Sequence, residues 1–238
     1  MKIVLILPVY NEEEILKDNV ETLYYFLKKH FLENEWLIVL ADNASTDNTT
    51  DIGQKLARDY SHDVQYFRLE QKGKGLALRH ACANFNADVY FFIDADLSVG
   101  LKAIRNVFDL MRSGCDIVVG SRINSKYAVK RSALRKMISI MYNILITAVF
   151  AIDVSDPPCG FKAINSKTVK NLLPLVYDNQ WFFDTELLIV ASQLKYTIKE
   201  IDIEWIDGRN PKRQNKLKII PTSVIYLKAI LKRLLSNN

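Results

Sequence analysis

The first half of the chain alternates between two hydrophobic rhythms. Short unbroken apolar runs (KIVLILP at the start, Trp36–Ala41, Val64–Leu69, Asp88–Ile93, Asp116–Ser121) read as strands buried on both faces. Between them, apolar residues recur at helical spacing. Glu12–His30 carries Ile15, Leu16, Val20, Leu23 and Leu27, and Asn48–Tyr60 carries Ile52 and Leu56; Gly75–Phe85 and Leu101–Met111 follow the same period. Strands that lack polar alternation and are separated by helices predict an α/β fold with a mostly parallel sheet covered on both faces. In such sheets ligands bind beyond the carboxyl ends of the strands. Five polar segments sit at those ends: PVYNE (Pro8–Glu12), ADNASTDNT (Ala41–Thr49), EQKGKG (Glu70–Gly75), DADLS (Asp94–Ser98) and GSR (Gly120–Arg122). Their convergence predicts one site.

The second half reads differently. Residues 137–152, MISIMYNILITAVFAI, carry no charge, and Ser139, Asn143 and Thr147 recur every fourth position as a narrow polar stripe. The run is helical and falls short of the ~20 apolar residues that span a bilayer. It fits a core helix or one lying at a membrane interface behind Arg135 and Lys136. Near the end, PTSVIYLKAILKRLL begins at Pro221, with Val224, Leu227, Leu231 and Leu234 on one side and Lys228 and Lys232 on another. No repeat or low-complexity linker interrupts the chain. The expected division is one α/β domain over residues 1–220 and a basic amphipathic helix over 221–238, at the membrane surface.

Charge sharpens this picture. The 238 residues carry a formal net charge of +5, but no acid lies between Asp116 and Asp153 or after Asp207. Fourteen of the 32 basic residues fall in those two stretches, leaving 18 basic against 27 acidic side chains elsewhere. That asymmetry favours an anionic partner at one face, phosphate or membrane surface; no nucleic-acid partner is expected. Three cysteines without a CxxC pair point to a reducing, cytosolic compartment, and three scattered histidines do not make a zinc site.

Asp94 and Asp96 are two apart, so in an extended chain both point the same way. Like charges so placed call for a cation. Hard oxygen ligands suit Mg²⁺ or Mn²⁺, which takes one or two carboxylates plus substrate phosphates. Capping of the following helix by Asp96 or Ser98 is the alternative. GxGxxG and GxxxxGK[ST] are both absent; Gly73-Lys74-Gly75 is a short turn with a cation at a helix start, where phosphate is favoured, but the same residues also make an ordinary turn.

PVYNE, DNASTDNT, GKG, DADL, GSR, DPPCGFK (Asp156–Lys162) and WFFDTELL (Trp181–Leu188) occur in an order that resembles glycosyltransferase family 2. They are similar in particular to its polyprenyl-phosphate sugar transferases, the dolichyl-phosphate mannose and glucose synthase group. The resemblance covers roughly residues 1 to 220. It implies a GT-A fold, with Pro8, Tyr10 and Glu12 lining the nucleotide pocket and Asp42 on the base or ribose. Asn43 stands where the family usually has a second Asp. Lys74 falls in the matched GKG element on the donor side. Asp94 and Asp96, with Ala95 between them, would hold a metal on the donor's diphosphate, with Ser98 at the third-ligand position. Arg122 and Arg135 match arginines that meet the acceptor phosphate. Arg209 and Lys216 match a basic segment that closes over the diphosphate.

The implied reaction is inverting transfer of mannose or glucose from GDP-mannose or UDP-glucose to a polyprenyl phosphate. The acceptor oxygen is already anionic, with a second pKa of about 6, so little general-base help is needed. Asp184 and Glu186 are left between orienting acceptor or sugar and capping the helix through Leu194. A family member acting on a sugar hydroxyl is the nearest alternative and would use Asp184 as its base. A haloacid-dehalogenase-like phosphatase would carry its DxD on the first strand, not the fourth. A regulator with a decayed site conflicts with the intact Asp94, Asp96, Arg122 and Arg209. The chain is expected to be peripheral on the cytoplasmic face of a membrane, with a separate membrane-protein partner left open.

Overall fold

The computed structural model describes residues 1–123 and 133–205, with Ile230 and Arg233. The side chains of residues 133–136 and 138, Arg135 among them, and all of Arg209, Lys216 and the other residues beyond Trp205 lie outside this description.

Seven strands form one sheet in the order β3-β2-β1-β4-β6-β5-β7. The first four are β1 (Lys2–Val9), β2 (Glu35–Asp42), β3 (Val64–Arg68) and β4 (Val89–Phe92), all parallel. Helices α1 (Leu16–His30), α2 (Thr49–Asp59) and α3 (Lys74–Asn84) connect them, and α4 (Lys102–Arg112) leads to β5 (Ile117–Ser121). α4 shows the logic of the helices. Ala103, Ile104, Val107, Phe108 and Met111 are its buried face, and burying each large apolar side chain contributes roughly 1.5–3 kcal/mol.

β1 leads outward through β2 and β3 on one side, while β4 lies on its other side. The chain therefore reverses direction across the sheet between β1 and β4, the place where open α/β sheets form a crevice. Pairing of β1 with β4 ends at Ile6 and Phe92, whereas β1 continues to Val9. Pro8 thus lies beyond the end of β4, where its missing N–H costs the ladder nothing on that side.

The far half holds two strands that the sequence pattern does not announce. After α5 (Ala133–Phe150), β6 (Lys162–Asn165) inserts antiparallel between β4 and β5. β7 (Ile198–Asp202) forms the edge, parallel to β5, after α6 (Ser166–Leu172) and α7 (Phe183–Gln193). Because β6 runs backward, its first residue, Lys162, lies opposite Phe92, the last residue of β4. The 153–161 segment is thereby delivered to the carboxyl ends of the parallel strands.

α5 packs through Ile146 with Phe182, Ile189 and Ile152 in a small second core. The polar stripe is split. Asn143 is buried, while Thr147 is exposed, and Met137, Met141, Ile144 and Leu145 are exposed as well. Ile230 joins the second core, and Arg233 reaches Glu186 at 3.4 Å. The two described residues of the C-terminal stretch thus pack inward on α7.

Candidate active site

Three of the five non-glycine residues with positive φ among the described residues lie in the segments that leave strand ends: Asn11 (φ 53°) after β1, Ala44 (φ 60°) after β2 and Leu97 (φ 47°) after β4. The left-handed region costs a non-glycine residue roughly 1–2 kcal/mol. Such strain clusters where surrounding bonds impose a sharp turn. At Leu97 those bonds are its N–H to the Asp94 carbonyl (3.0 Å) and the Ser98 N–H to Asp96 Oδ1 (3.0 Å). Asn19 Nδ2 adds a bond to the Ala95 carbonyl (2.9 Å), tying α1 to the turn. Ala95 and Ser98 are buried beneath it, and Asp94 and Asp96 sit partly exposed at its rim. Ser98 thus meets Asp96 through its backbone.

Asp94 is built in from two sides. Lys74 Nζ lies 3.0 Å from its Oδ1, and a Cβ added to Gly160 would stand 2.3 Å from its Oδ2. Lys74 continues to Asp184 Oδ2 at 2.8 Å, and Asp184 Oδ1 accepts from Lys162 Nζ at 3.2 Å. Lys162 is fully buried and also donates to the carbonyls of Pro157 (3.1 Å) and Cys159. Asp94, Lys74, Asp184 and Lys162 therefore form one chain of alternating charge. Burial opposes charge on Lys74, but Asp184 and Asp94 outweigh it and hold its pKa above the usual lysine value.

Across the same turn, Arg122 at the end of β5 grips Asp156 in a fork: Nε to Oδ2 at 2.6 Å and one Nη to Oδ1 at 2.7 Å. Its backbone N–H adds a third bond at 3.0 Å, and its guanidinium stacks 5.0 Å from the Trp205 ring centre. Burial would lower the Arg122 pKa, but Asp156 overcomes it and Asp94 adds to the rise. Cys159 lies on the same segment, and burial pushes its thiol up to about 11. It is an inert packing residue.

The remaining expected residues divide. Tyr10 lies at the mouth with Lys72 Nζ 4.4 Å from its ring centre, and the Glu12 N–H donates to Thr49 Oγ1 at 2.7 Å. Asp42 is fully buried and accepts from Ser45 N–H (2.9 Å), Thr50 Oγ1 (2.8 Å) and the Tyr66 hydroxyl (2.7 Å). Its carboxylate shapes the 43–50 loop. Asn43 Oδ1 accepts the Gly73 N–H, so an amide serves where the family's second Asp would stand.

At the glycine turn the structure favours the ordinary turn over the phosphate site. The N–H groups that open α3 do not point at an open phosphate cradle: Gly75 N–H donates to the Gln180 carbonyl (3.2 Å) and Leu76 N–H to that of Asn179 (3.1 Å). A Cβ on Gly73 would meet Asn179 O at 2.4 Å, and one on Gly75 would meet Phe183 at 2.7 Å. The glycines let the 178–183 loop dock. Glu186 also has a structural place, accepting the N–H groups of Tyr177 (3.0 Å) and Asp178 (2.7 Å). Lys162, Asp156 and Gly160 carry the site although only their motif stood out. The readable signal was a lone lysine inside the apolar run CGFKAI, which needs a buried anion.

The site thus gathers carboxylates, an arginine fork and two buried lysines where the five strand ends converge. A family profile described as "Glycosyl transferase family 2" matches residues 4–173. The chain belongs to glycosyl transferase family 2. Among curated members it is similar to the glycosyltransferase AglD of Haloferax volcanii, 29% identical over 92% of this chain and 35% of that protein. It is also 30% identical to the dolichyl-phosphate beta-glucosyltransferase ALG5D of Trichomonas vaginalis, over 90% of this chain and 69% of that protein. The chain thus spans about a third of AglD. Among solved structures, glucosyl-3-phosphoglycerate synthase from Mycobacterium tuberculosis in complex with UDP superimposes with a TM-score of 0.70 at 18% identity, over 99% of this chain and 79% of that one. That likeness establishes the GT-A fold of this family 2 member.

Proposed function

We propose that the chain moves a hexose, glucose by preference, from a nucleoside-diphosphate sugar to a polyprenyl phosphate. The observation that carries this reading is the setting of Asp184. Both of its oxygens face ammonium groups, Lys74 at 2.8 Å and Lys162 at 3.2 Å, and it is 2% exposed. A carboxylate so engaged is not placed to take a proton from an acceptor hydroxyl, the task the hydroxyl-acceptor alternative requires of it. A phosphate monoester needs no such base. Glucose is preferred because the curated relatives include dolichyl-phosphate beta-glucosyltransferases.

In the proposed reaction an acceptor phosphate oxygen attacks C1 of the hexose. The new C1–O bond forms as the bond from C1 to the diphosphate breaks, the electron pair leaves with the nucleoside diphosphate, and the sugar carbon inverts. Arg122 is locked on Asp156 through Nε and one Nη, and its other Nη makes no hydrogen bond among the described residues. That nitrogen is a donor for the acceptor phosphate, with Arg135 assigned to the same phosphate. Pro8, Tyr10 and Glu12 border the nucleotide, and Arg209 and Lys216 are assigned to the leaving diphosphate.

Asp94 and Asp96 fit a hard divalent ion, Mg²⁺ or Mn²⁺: two partly exposed carboxylates share one turn. No third His, Cys, Asp or Glu completes a cluster among the described residues, so diphosphate and water oxygens would supply the other ligands. When bound, the ion would neutralise charge growing on the leaving group. Mn²⁺ and UDP-glucose occur together in the Mycobacterium tuberculosis synthase, of the same fold.

No helix among the described residues is long and apolar enough to cross a membrane. Contact with the lipid is assigned to α5, whose Met141 and Ile144 are 62% and 63% exposed. A groove of about 620 Å³ is lined on one side by Ile123, Ile140, Ile144, Ala148 and Val154 and otherwise by Asn143, Thr147, Asp153, Ser155 and Glu200. Its apolar side suits a prenyl chain. The buried free cysteines fit the cytoplasmic face. The test is a donor panel of UDP-glucose, UDP-galactose and GDP-mannose with Mn²⁺ and a short polyprenyl phosphate. Lipid-linked glucose is expected, and transfer to a free sugar but never to the lipid phosphate refutes the reading.

A further inference from the structure

Trp181 opens the WFFDTELL segment and is 41% exposed. A single exposed aromatic residue ordinarily needs no explanation. Two observations set this one apart. The first is position: its ring centre lies 5.5 Å from Lys74 Nζ, which is itself 3.0 Å from Asp94 Oδ1. The second is the rigidity of what carries it. Glu186 accepts the N–H groups of Tyr177 and Asp178, and Asp178 Oδ1 accepts those of Gln180 (2.7 Å) and Phe183 (3.1 Å). Gln180 then spans to the glycine turn, its Nε2 to the Lys72 carbonyl (2.9 Å) and its carbonyl to the Gly75 N–H. The chain on both sides of the indole is thus fixed before any ligand arrives, and such preorganisation reduces the entropy lost on binding.

We propose that Trp181 is the platform on which the transferred hexose of the donor lies, and that it makes the enzyme discriminate a sugar nucleotide from the bare nucleoside diphosphate. The negative face of an aromatic ring attracts positively polarised edges. The axial C–H groups of a pyranose present such an edge, while its hydroxyls need polar neighbours. Lys74 Nζ, held by Asp94 and Asp184, keeps a third N–H beside the ring for one of them. A diphosphate at Asp94 and Asp96 places C1 between the carboxylates and Arg122, and the ring of the sugar then has Lys74 and Trp181 along one side. This rests on the proposed use of a nucleoside-diphosphate sugar.

Calorimetric titration of the full chain with UDP and UDP-glucose in Mn²⁺, and with GDP and GDP-mannose in parallel, tests it. Trp181→Ala is expected to leave affinity for the bare diphosphate within about twofold and to weaken the sugar nucleotide about five- to tenfold, the size of one stacking contact. Trp181→Phe should restore most of that loss. Trp181→Leu, which keeps bulk without a π face, should behave as Ala does and serves if Ala fails to fold. Equal weakening of both ligands, no weakening of either, or a loss confined to sedimentation with vesicles overturns the platform. If the wild-type chain binds none of the four nucleotides, the donor assignment itself is wrong and the platform falls with it. Binding by the wild type without discrimination by the variants refutes the platform alone.

Discussion

Replacing Asp184 by Asn separates a structural keystone from a catalytic base. In the structure this carboxylate holds two buried ammonium groups, Lys74 with a side chain 6% exposed and Lys162 at 0%. The substitution keeps shape and removes one negative charge from between two positive ones. Lys74 keeps Asp94, and Lys162 keeps two backbone carbonyls. Stripping a buried ion pair of one partner costs about 3–5 kcal/mol, because the other charge stays buried. For a domain of this size each kcal/mol lowers the melting temperature by about 2–4 °C. The expected fall is therefore on the order of 10 °C, read by circular dichroism at neutral pH. Adding Lys162→Met should recover part of the loss, since the stranded cation goes too; residues in one network couple by about 0.5–3 kcal/mol. Were Asp184 instead a general base, Asn would melt within about 3 °C of wild type and lose about 10²–10⁴ in rate. That pair of results refutes the keystone and revives a hydroxyl acceptor.

The other predictions concern the arginine fork, the glycine beside Asp94 and the apolar helix face. Burial would raise the Asp156 carboxyl, but Arg122 holds it below its ordinary 3.8. A depressed carboxylate stabilises the fold above that value and loses the contribution as pH falls through the lower folded value. Urea titrations should thus find Asp156→Asn about 3 kcal/mol less stable at pH 7, with the gap to wild type narrowing below pH 3.8; a gap independent of pH contradicts the assignment. Gly160→Ala places a Cβ 2.3 Å from Asp94 Oδ2; a carboxylate displaced by about 1 Å should cut kcat/KM on the order of 100-fold, with the melting temperature barely moved. Met141→Glu with Ile144→Glu should abolish sedimentation with anionic vesicles while changing stability by about 0.5 kcal/mol or less, since both residues are exposed; undiminished sedimentation removes α5 from the membrane.

Much of the parallel half was legible because its strands are unbroken apolar runs and its ligand-facing residues crowd the strand ends. The family membership was legible through the order of the seven motifs. What the pattern did not reveal was contact across distance. β6, KAIN, is four residues long and starts with a lysine, and β7, IKEID, is a half-exposed edge strand whose polar positions mask the run. Local reading left the Gly73-Lys74-Gly75 turn between a phosphate site and an ordinary turn; the docked 178–183 loop shows its N–H groups engaged. Asp184 stayed open between two roles for the same reason, because its partners Lys74 and Lys162 come from separate elements brought together by the antiparallel strand. The stripe of Ser139, Asn143 and Thr147 suggested one polar face on α5. In the fold Ile146 packs against α7, Asn143 is buried, and Met141, Ile144 and Leu145 are exposed.

Acceptor ionisation is the most direct test of the whole account, since the proposed chemistry dispenses with a base only when the attacking oxygen is already anionic. Purified protein, Mn²⁺ and labelled UDP-glucose should be offered a short polyprenyl phosphate and, separately, the corresponding polyprenol, which differs only in lacking the phosphate. The account predicts glucosyl transfer to the phosphate and none detectable to the alcohol. Transfer to the alcohol, or to a sugar hydroxyl in preference to the phosphate, contradicts it.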